Sequence, residues 1–140
     1  MENCVFCKIV SGELPSDKVY EDDEVLAFLD IQPIRQGHTL LIPKTHANDL
    51  LSVDEKSLAY LMSSLPNIAR SVVLGVEADG FNVGINNGKA AGQLVGHMHI
   101  HIIPRKDNDG LQSWGHTSYS SGEAKEIAER IRNVLTDASI

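Results

Sequence analysis

Seven residues constrain this chain more than any other stretch: His97-Met98-His99-Ile100-His101-Ile102-Ile103. Histidine occupies every second position, and apolar residues fill the positions between. Successive side chains of a strand point to opposite faces, so three imidazoles line one face about 6–7 Å apart and the apolar set lines the other. The pattern predicts a strand over residues 95–103 with its apolar face on a core. Imidazole can ligate a metal, attack an electrophile or pass a proton at neutral pH, and three on one face can divide those jobs.

The rest of the chain reads as strands and helices that enclose such a strand. Residues 4–12 read as a short helical turn with Phe6, Ile9 and Val10 on one side, closed by Gly12 and Pro15. Residues 18–20 and 25–29 read as two strands of a hairpin, joined by the acidic residues 21–24 as a solvated tip. Thr39-Leu40-Leu41-Ile42 reads as a buried strand ended by Pro43. Ser52 with Glu55 forms a capping box before an apolar face running from Leu58 to Val73, and Pro66 inside it is expected to kink or split the helix. Residues 81–85 alternate as a strand and lead into the turn Asn86-Asn87-Gly88. A second capping box, Ser120 with Glu123, opens a C-terminal helix of about residues 121–136 with Ile127, Ala128, Ile131, Val134 and Leu135 on its apolar face. Strands, helix, strands, helix in that order predict an α+β fold with a largely antiparallel sheet, organised as one domain over residues 1–140.

Size and charge narrow the function. The chain has 140 residues, about one domain's worth. Twelve basic against 19 acidic residues give a net charge of −7, which argues against a nucleic-acid or anionic-membrane binder but leaves room for a small phosphorylated ligand. No apolar run approaches the ~20 residues of a membrane helix and no secretory signal is visible, so a cytoplasmic protein is expected.

Two further groups carry chemistry. The loop Asn86-Asn87-Gly88-Lys89-Ala90-Ala91-Gly92-Gln93 is rich in glycine, lacks P-loop spacing, and sits beside the histidines, where its amides with Asn86 and Gln93 suit phosphate or ribose oxygens. Cys4 and Cys7, at C-x-x-C spacing, suit one metal ion, with His97, His46 and His38 as candidates for the remaining ligands. Otherwise His38 reads as structural, Asp30 as a strand-end cap, and His116, beside Trp114, as surface.

The run Gly92-Gln93-Leu94-Val95-Gly96-His97-Met98-His99-Ile100-His101-Ile102-Ile103 resembles the signature of the histidine triad (HIT) family. The likeness extends to Cys4-Val5-Phe6-Cys7-Lys8-Ile9, Pro15, residues 25–31, Gly37-His38-Thr39-Leu40-Leu41-Ile42-Pro43-Lys44-Thr45-His46 and Asn86-Asn87-Gly88, and is greatest to the bacterial branch with an N-terminal C-x-x-C. The resemblance implies a five-stranded antiparallel sheet with two main helices, and a homodimer in which two sheets join as ten strands. It implies a hydrolase or transferase of purine nucleoside 5′-phosphates bearing an amide or ester leaving group, similar to purine nucleoside phosphoramidases. His99 would be the nucleophile on the α-phosphorus and His101 a phosphate contact. Phe6, Ile9, Phe28 and Ile31 would line the base pocket, Asp30 would bind the ribose hydroxyls, and Asn86, Gly92 and Gln93 would lie along sugar and phosphate. Cys4, Cys7, His46 and His97 would hold one structural zinc per chain.

The chain departs from that pattern at Leu94, where a serine is common, and at Gly96, where an aromatic is frequent. Two alternatives stand beside the phosphoramidase-like reading: a dinucleoside polyphosphate hydrolase, and a zinc-containing nucleotide-binding module without turnover.

Overall fold

A computed structural model describes residues 3–137. The chain divides into two compact units, residues 1–109 and 110–140. In the first unit the order is α1 (Val5–Val10), β1 (Lys18–Glu21), β2 (Val25–Leu29), β3 (Thr39–Pro43), α2 (Glu55–Gly75), β4 (Gly80–Gly84), a 3-10 turn (Lys89–Ala91) and β5 (Ile100–Arg105). The sheet has the order β1-β2-β3-β5-β4, every pair antiparallel. The α+β reading holds.

The sheet is covered on both faces. Val25, Ala27, Leu41, Ile100 and Ile102 pack with Leu61, Ile68, Ala69 and Val72 of α2. Leu26, Phe28, Leu40 and Ile42 point the other way and pack with Phe6 of α1. The alternation of strands β2 and β3 therefore serves two cores at once, which is why both read as near-continuous apolar runs. Asp22 makes the hairpin tip more than a solvated turn. One carboxylate oxygen accepts the N–H groups of Glu24 and Val25, and the other accepts the hydroxyls of Tyr20 and of Tyr60 on α2.

Three local expectations are corrected. The cap of α2 is Asp54, which accepts the Ser57 N–H at 2.9 Å, while Ser52 bonds back to Asp49. Pro66 leaves α2 continuous: it is exposed, as is Met62, so the carbonyl deprived of its partner lies on the side where water can serve it. The last strand begins at Ile100, not at residue 95. The β3–β5 register, Leu41 opposite Ile100, would place Met98 opposite Pro43. Pro43 has no N–H to give, and its carbonyl is taken by a side chain, Nε2 of His97 at 2.8 Å. The Met98 N–H turns instead to the Ala47 carbonyl at 2.7 Å.

The second unit contains α3 (Glu123–Asp137). Its entry shows one arm of the expected box, the Ser120 N–H on the Glu123 carboxylate at 3.0 Å. Ile131, Val134 and Leu135 of its apolar face are exposed, as is Trp114.

Candidate functional site

Four predicted ligands meet at the N-terminus of α1. Cys4 is the N-cap and accepts the Cys7 N–H on its sulfur at 3.3 Å, so one turn of helix presents both thiols to the same side. Sγ of Cys4 lies 3.4 Å from Nδ1 of His97, Sγ of Cys7 lies 3.3 Å from Nδ1 of His46, and the two Nδ1 atoms are 3.2 Å apart. A tetrahedral ion bound at about 2.3 Å to sulfur and 2.0 Å to nitrogen would set nitrogens about 3.3 Å apart and sulfur about 3.5 Å from nitrogen. The protonation pattern agrees. Nε2 of His97 must donate to the Pro43 carbonyl, and Nε2 of His46 donates to Oδ1 of Asn48 at 3.1 Å. Both Nδ1 atoms are then unprotonated and face each other, an arrangement that favours a cation between them. The donor set, two thiols and two neutral imidazoles, fits a metal ion. Burial pushes the His97 imidazole below its usual pKa, which keeps it in the ligating form.

His99 stands two residues on. Its Nδ1 lies 2.7 Å from the His97 carbonyl, which can only accept, so Nδ1 carries the proton and Nε2 carries the lone pair. Phe6 wedges edge-on against this ring at 5.1 Å between centroids and against Phe28 at 5.4 Å. Phe6, Ile9 and Phe28, expected together in a base pocket, do share one cluster. Ile31 does not join it, since it lies in the loop after β2 and is 91% exposed.

A second chain of tautomers fixes His101. The Ile34 N–H donates to Nδ1 of His38 at 3.0 Å, so the proton of neutral His38 resides on Nε2. That proton points at Nδ1 of His101, 2.9 Å away, which leaves the His101 proton on its own Nε2. This Nε2 is buried and has no hydrogen-bond partner among the described residues. Burial, then the neighbouring His99 and His38, pushes the His101 pKa down to about 4, and burial lowers that of His38 too. Both rings are neutral at pH 7, so His101 offers a hydrogen bond, not a proton. Asp30, His38 and His101 also cluster closely enough to suggest a second metal site, but Nδ1 of His38 already accepts a backbone N–H and its Nε2 cannot ligate while protonated.

His38 is the functional residue that reading the sequence left as structural. Leu40 pairs directly with His101 across the ladder, so His38, two residues earlier, shares the face of the histidine run. Gly37 delivers it there. Its φ is +90°, and a Cβ would stand 2.8 Å from a methyl of Val76 and 3.2 Å from Pro104. Asp30 sits nearby, with Oδ2 3.7 Å from Nε2 of His38 and Oδ1 accepting the Gln32 N–H.

The glycine-rich loop is stapled by Gln93. Its Oε1 accepts the Gly88 N–H, and its Nε2 donates to the carbonyls of Asn48 and Val95. Both amide hydrogens therefore go to backbone carbonyls on either side of the loop. Asn87 ties the same loop to the Leu50 N–H. Gly92 has φ +88°, and a Cβ at that position would stand 3.8 Å from the side-chain amide nitrogen of Asn86. Leu94 is 93% exposed.

Comparisons with known proteins agree with this geometry. Residues 11–108 match the HIT domain. The chain is 42% identical over 139 residues to an adenylylsulfatase of Arabidopsis thaliana, covering 95% of this chain and 70% of that one. It is 40% identical over 109 residues to an adenosine 5′-monophosphoramidase of Candida albicans, covering 75% and 72% of the two. A zinc-bound histidine triad family protein from Mycobacterium smegmatis superposes with a TM-score of 0.75 at 39% identity, covering 97% of this chain and 98% of that one.

Proposed function

The chain belongs to the HIT domain family, and from that premise we propose that it is a nucleotidyl hydrolase or transferase acting on purine nucleoside 5′-phosphates through His99. The observation that carries the reading is the tautomer of His99: the His97 carbonyl holds its Nδ1 proton and leaves Nε2 free to attack. Nε2 forms a bond to the α-phosphorus as the bond to the leaving group breaks, and the leaving group keeps that electron pair and, where it is an amine, takes its proton from solvent water, which becomes the hydroxide that attacks next. Water then cleaves the P–N bond of the nucleotidyl-imidazole, releases the mononucleotide and restores neutral His99. The unpartnered Nε2–H of His101 stabilises charge on the phosphoryl oxygens. Asp30 binds the ribose, Phe6, Ile9 and Phe28 hold the base with Ile31 at the mouth, and Asn86, Gly92 and the loop shaped by Gln93 follow sugar and phosphate. An amide of AMP, or its mixed anhydride with sulfate, suits the site, as the names of the Candida and Arabidopsis relatives suggest.

Cys4, Cys7, His46 and His97 hold one zinc per chain. Bound by these four residues, zinc would supply a structural cross-link between α1, the segment at His46 and the start of the histidine run. The dimer uses a sheet edge. The edges are β1 and β4, and β4 exposes Phe81 and Val83, which suits joining two sheets into ten strands.

The test is to quench the protein during turnover of an AMP amide and map the label. An acid-labile nucleotidyl adduct on His99 is expected, together with a fall in turnover of about 10⁴-fold or more in His99→Ala with nucleotide binding kept. An adduct on another residue, or an active His99→Ala protein, overturns the assignment.

A further inference from the structure

We infer that the Cys4–Cys7–His46–His97 cluster is a positioning device for the nucleophile: by gripping the His97 ring it fixes the carbonyl that holds the Nδ1 proton of His99. The inference rests on reading His99 as the nucleophile and goes beyond a purely stabilising role for the cluster.

Residues 97–99 lie outside the β5 ladder, so strand pairing does not set the direction of the His97 carbonyl. The peptide between His97 and Met98 is anchored at one end by the Met98 N–H on Ala47. At the other end stands the His97 side chain, wholly buried and held at both nitrogens. Nε2 is tied to Pro43 at 2.8 Å, and Nδ1 lies 3.4 Å from the Cys4 sulfur and 3.2 Å from Nδ1 of His46.

The weak point is the contact between the two Nδ1 atoms. Each carries a lone pair, because each ring donates through Nε2. Without a shared cation only the weak thiol donors of Cys4, at 3.4 Å, and Cys7, at 3.3 Å, face those lone pairs, and nothing else draws the two rings together. Once the ring lets go, only the Met98 N–H on Ala47 still holds the His97 peptide, the plane can tilt about that bond, and the Nδ1–H of His99 loses its acceptor at 2.7 Å. The His99 proton is then free to reside on Nε2, where it occupies the lone pair that attacks phosphorus. Phe6 couples the same groups mechanically, since its ring contacts both His97 and His99 from α1, the helix that carries both cysteines. The predicted consequence is a loss that falls mainly on the chemical step, because Phe28 and Asp30 lie on β2 and just after it, while only Phe6 and Ile9 share α1 with the cysteines.

The experiment uses the full chain, loaded with Zn2+, stripped with a chelator, and reloaded with Zn2+ alone. Nitrogen-15 NMR of the imidazoles reads the His99 tautomer at fixed neutral pH. The loaded protein should show the Nδ1–H form, the stripped protein a mixture with the Nε2–H form, and reloading should restore the first. The single-turnover rate of adduct formation from an AMP amide should fall about 10²-fold on stripping, the scale expected from a misplacement near 1 Å. The dissociation constant for AMP should rise by a much smaller factor than the rate falls, the signature of a lost transition-state contact, with any rise traced to Phe6 and Ile9 on α1. A stripped protein that keeps its fold, its His99 tautomer and its rate overturns the proposal. If stripping unfolds the chain, zinc-loaded Cys4→Ser and Cys4→His decide the matter. The tautomer should loosen in the first and recover in the second, and an unchanged tautomer in both overturns it. An absence of turnover in the loaded wild type would defeat the functional reading alone, since the spectrum reads the coupling without substrate.

Discussion

His101 sits inside the β3–β5 ladder opposite Leu40, whereas His97 and His99 precede it, so two halves of one seven-residue run are held by different means. In the ladder half, backbone pairing fixes the chain, and a relay of neutral rings from the Ile34 N–H through His38 sets which nitrogen of His101 bears the proton. In the other half no ladder operates, and side-chain anchors at Pro43, Cys4, Cys7 and His46 hold the carbonyl that fixes His99. One half is rigid because of its strand. On the proposed coupling the other is held through its metal-ligating side chains, and only that half should respond to metal.

The comparison sharpens most at His101. In His101→Ala the ladder remains, because its hydrogen bonds are backbone bonds, so the protein should stay folded. The catalytic rate should fall about 10²–10³-fold, the scale for removing one donor to a developing oxyanion. The loss should be the same in zinc-loaded and partly stripped protein once each is normalised to its own wild type. A loss that shrinks sharply on stripping would show that the halves are not independent.

His38→Phe comes next. Phenylalanine fills the volume but offers no Nε2–H, so Nδ1 of His101 loses its donor and the His101 proton can sit on either nitrogen. Turnover should fall about 10-fold, within the range for losing a group that orients another. The accompanying imidazole spectrum should show a mixed tautomer at His101 and an unchanged one at His99. A change at His99 instead would break the division.

Gly37→Ala tests the turn that delivers His38. The residue has φ +90°, and the new methyl meets Val76 at 2.8 Å. Strain and overlap together should cost about 1–3 kcal/mol in unfolding free energy by denaturant titration. A neutral substitution would mean that the loop before β3 yields freely and that His38 is held by other means.

Much of the fold was legible because its signals are local. Short apolar runs marked β2 and β3, alternation marked β4, and the spacing from Leu58 to Val73 marked α2. What escaped needed long-range register. That β5 starts at Ile100 follows from Met98 facing Pro43, a pairing visible only once β3 and β5 are side by side. His38 escaped for the same reason, since its face is set by Leu40 opposite His101. The cysteine spacing showed that a metal was favoured, but the choice of His46 and His97 over His38 came from family likeness, and the geometry now supplies a reason: His38 spends its Nδ1 on Ile34. The cap of α2 was missed because Ser52 and Asp54 are both good caps and only the tertiary turn at Asp49 chooses between them. Gln93 suited a phosphate by its side-chain amide, and the structure shows that amide donating to the carbonyls of Asn48 and Val95, a partner set that the sequence does not display.

Acid stability offers the smallest effect and the last way to separate the halves. Burial holds His101 neutral in the folded chain, with a pKa of about 4, while an unfolded histidine titrates near about 6.5. Between those values the unfolded chain binds a proton that the native chain refuses, so stability is intact above about pH 6.5 and is lost as pH falls toward 4. One such proton contributes a slope of at most about 1.4 kcal/mol per pH unit. Replacing the ring by a neutral amide, His101→Asn, removes that contribution, so the variant should lose less stability than the wild type between pH 6.5 and 5. The ligand cluster also weakens in acid, but it is the same in both proteins and cancels in the difference. Parallel pH profiles for wild type and His101→Asn would show that the ring accepts its proton without disturbing the ladder, and that the relay from Ile34 does not hold it neutral.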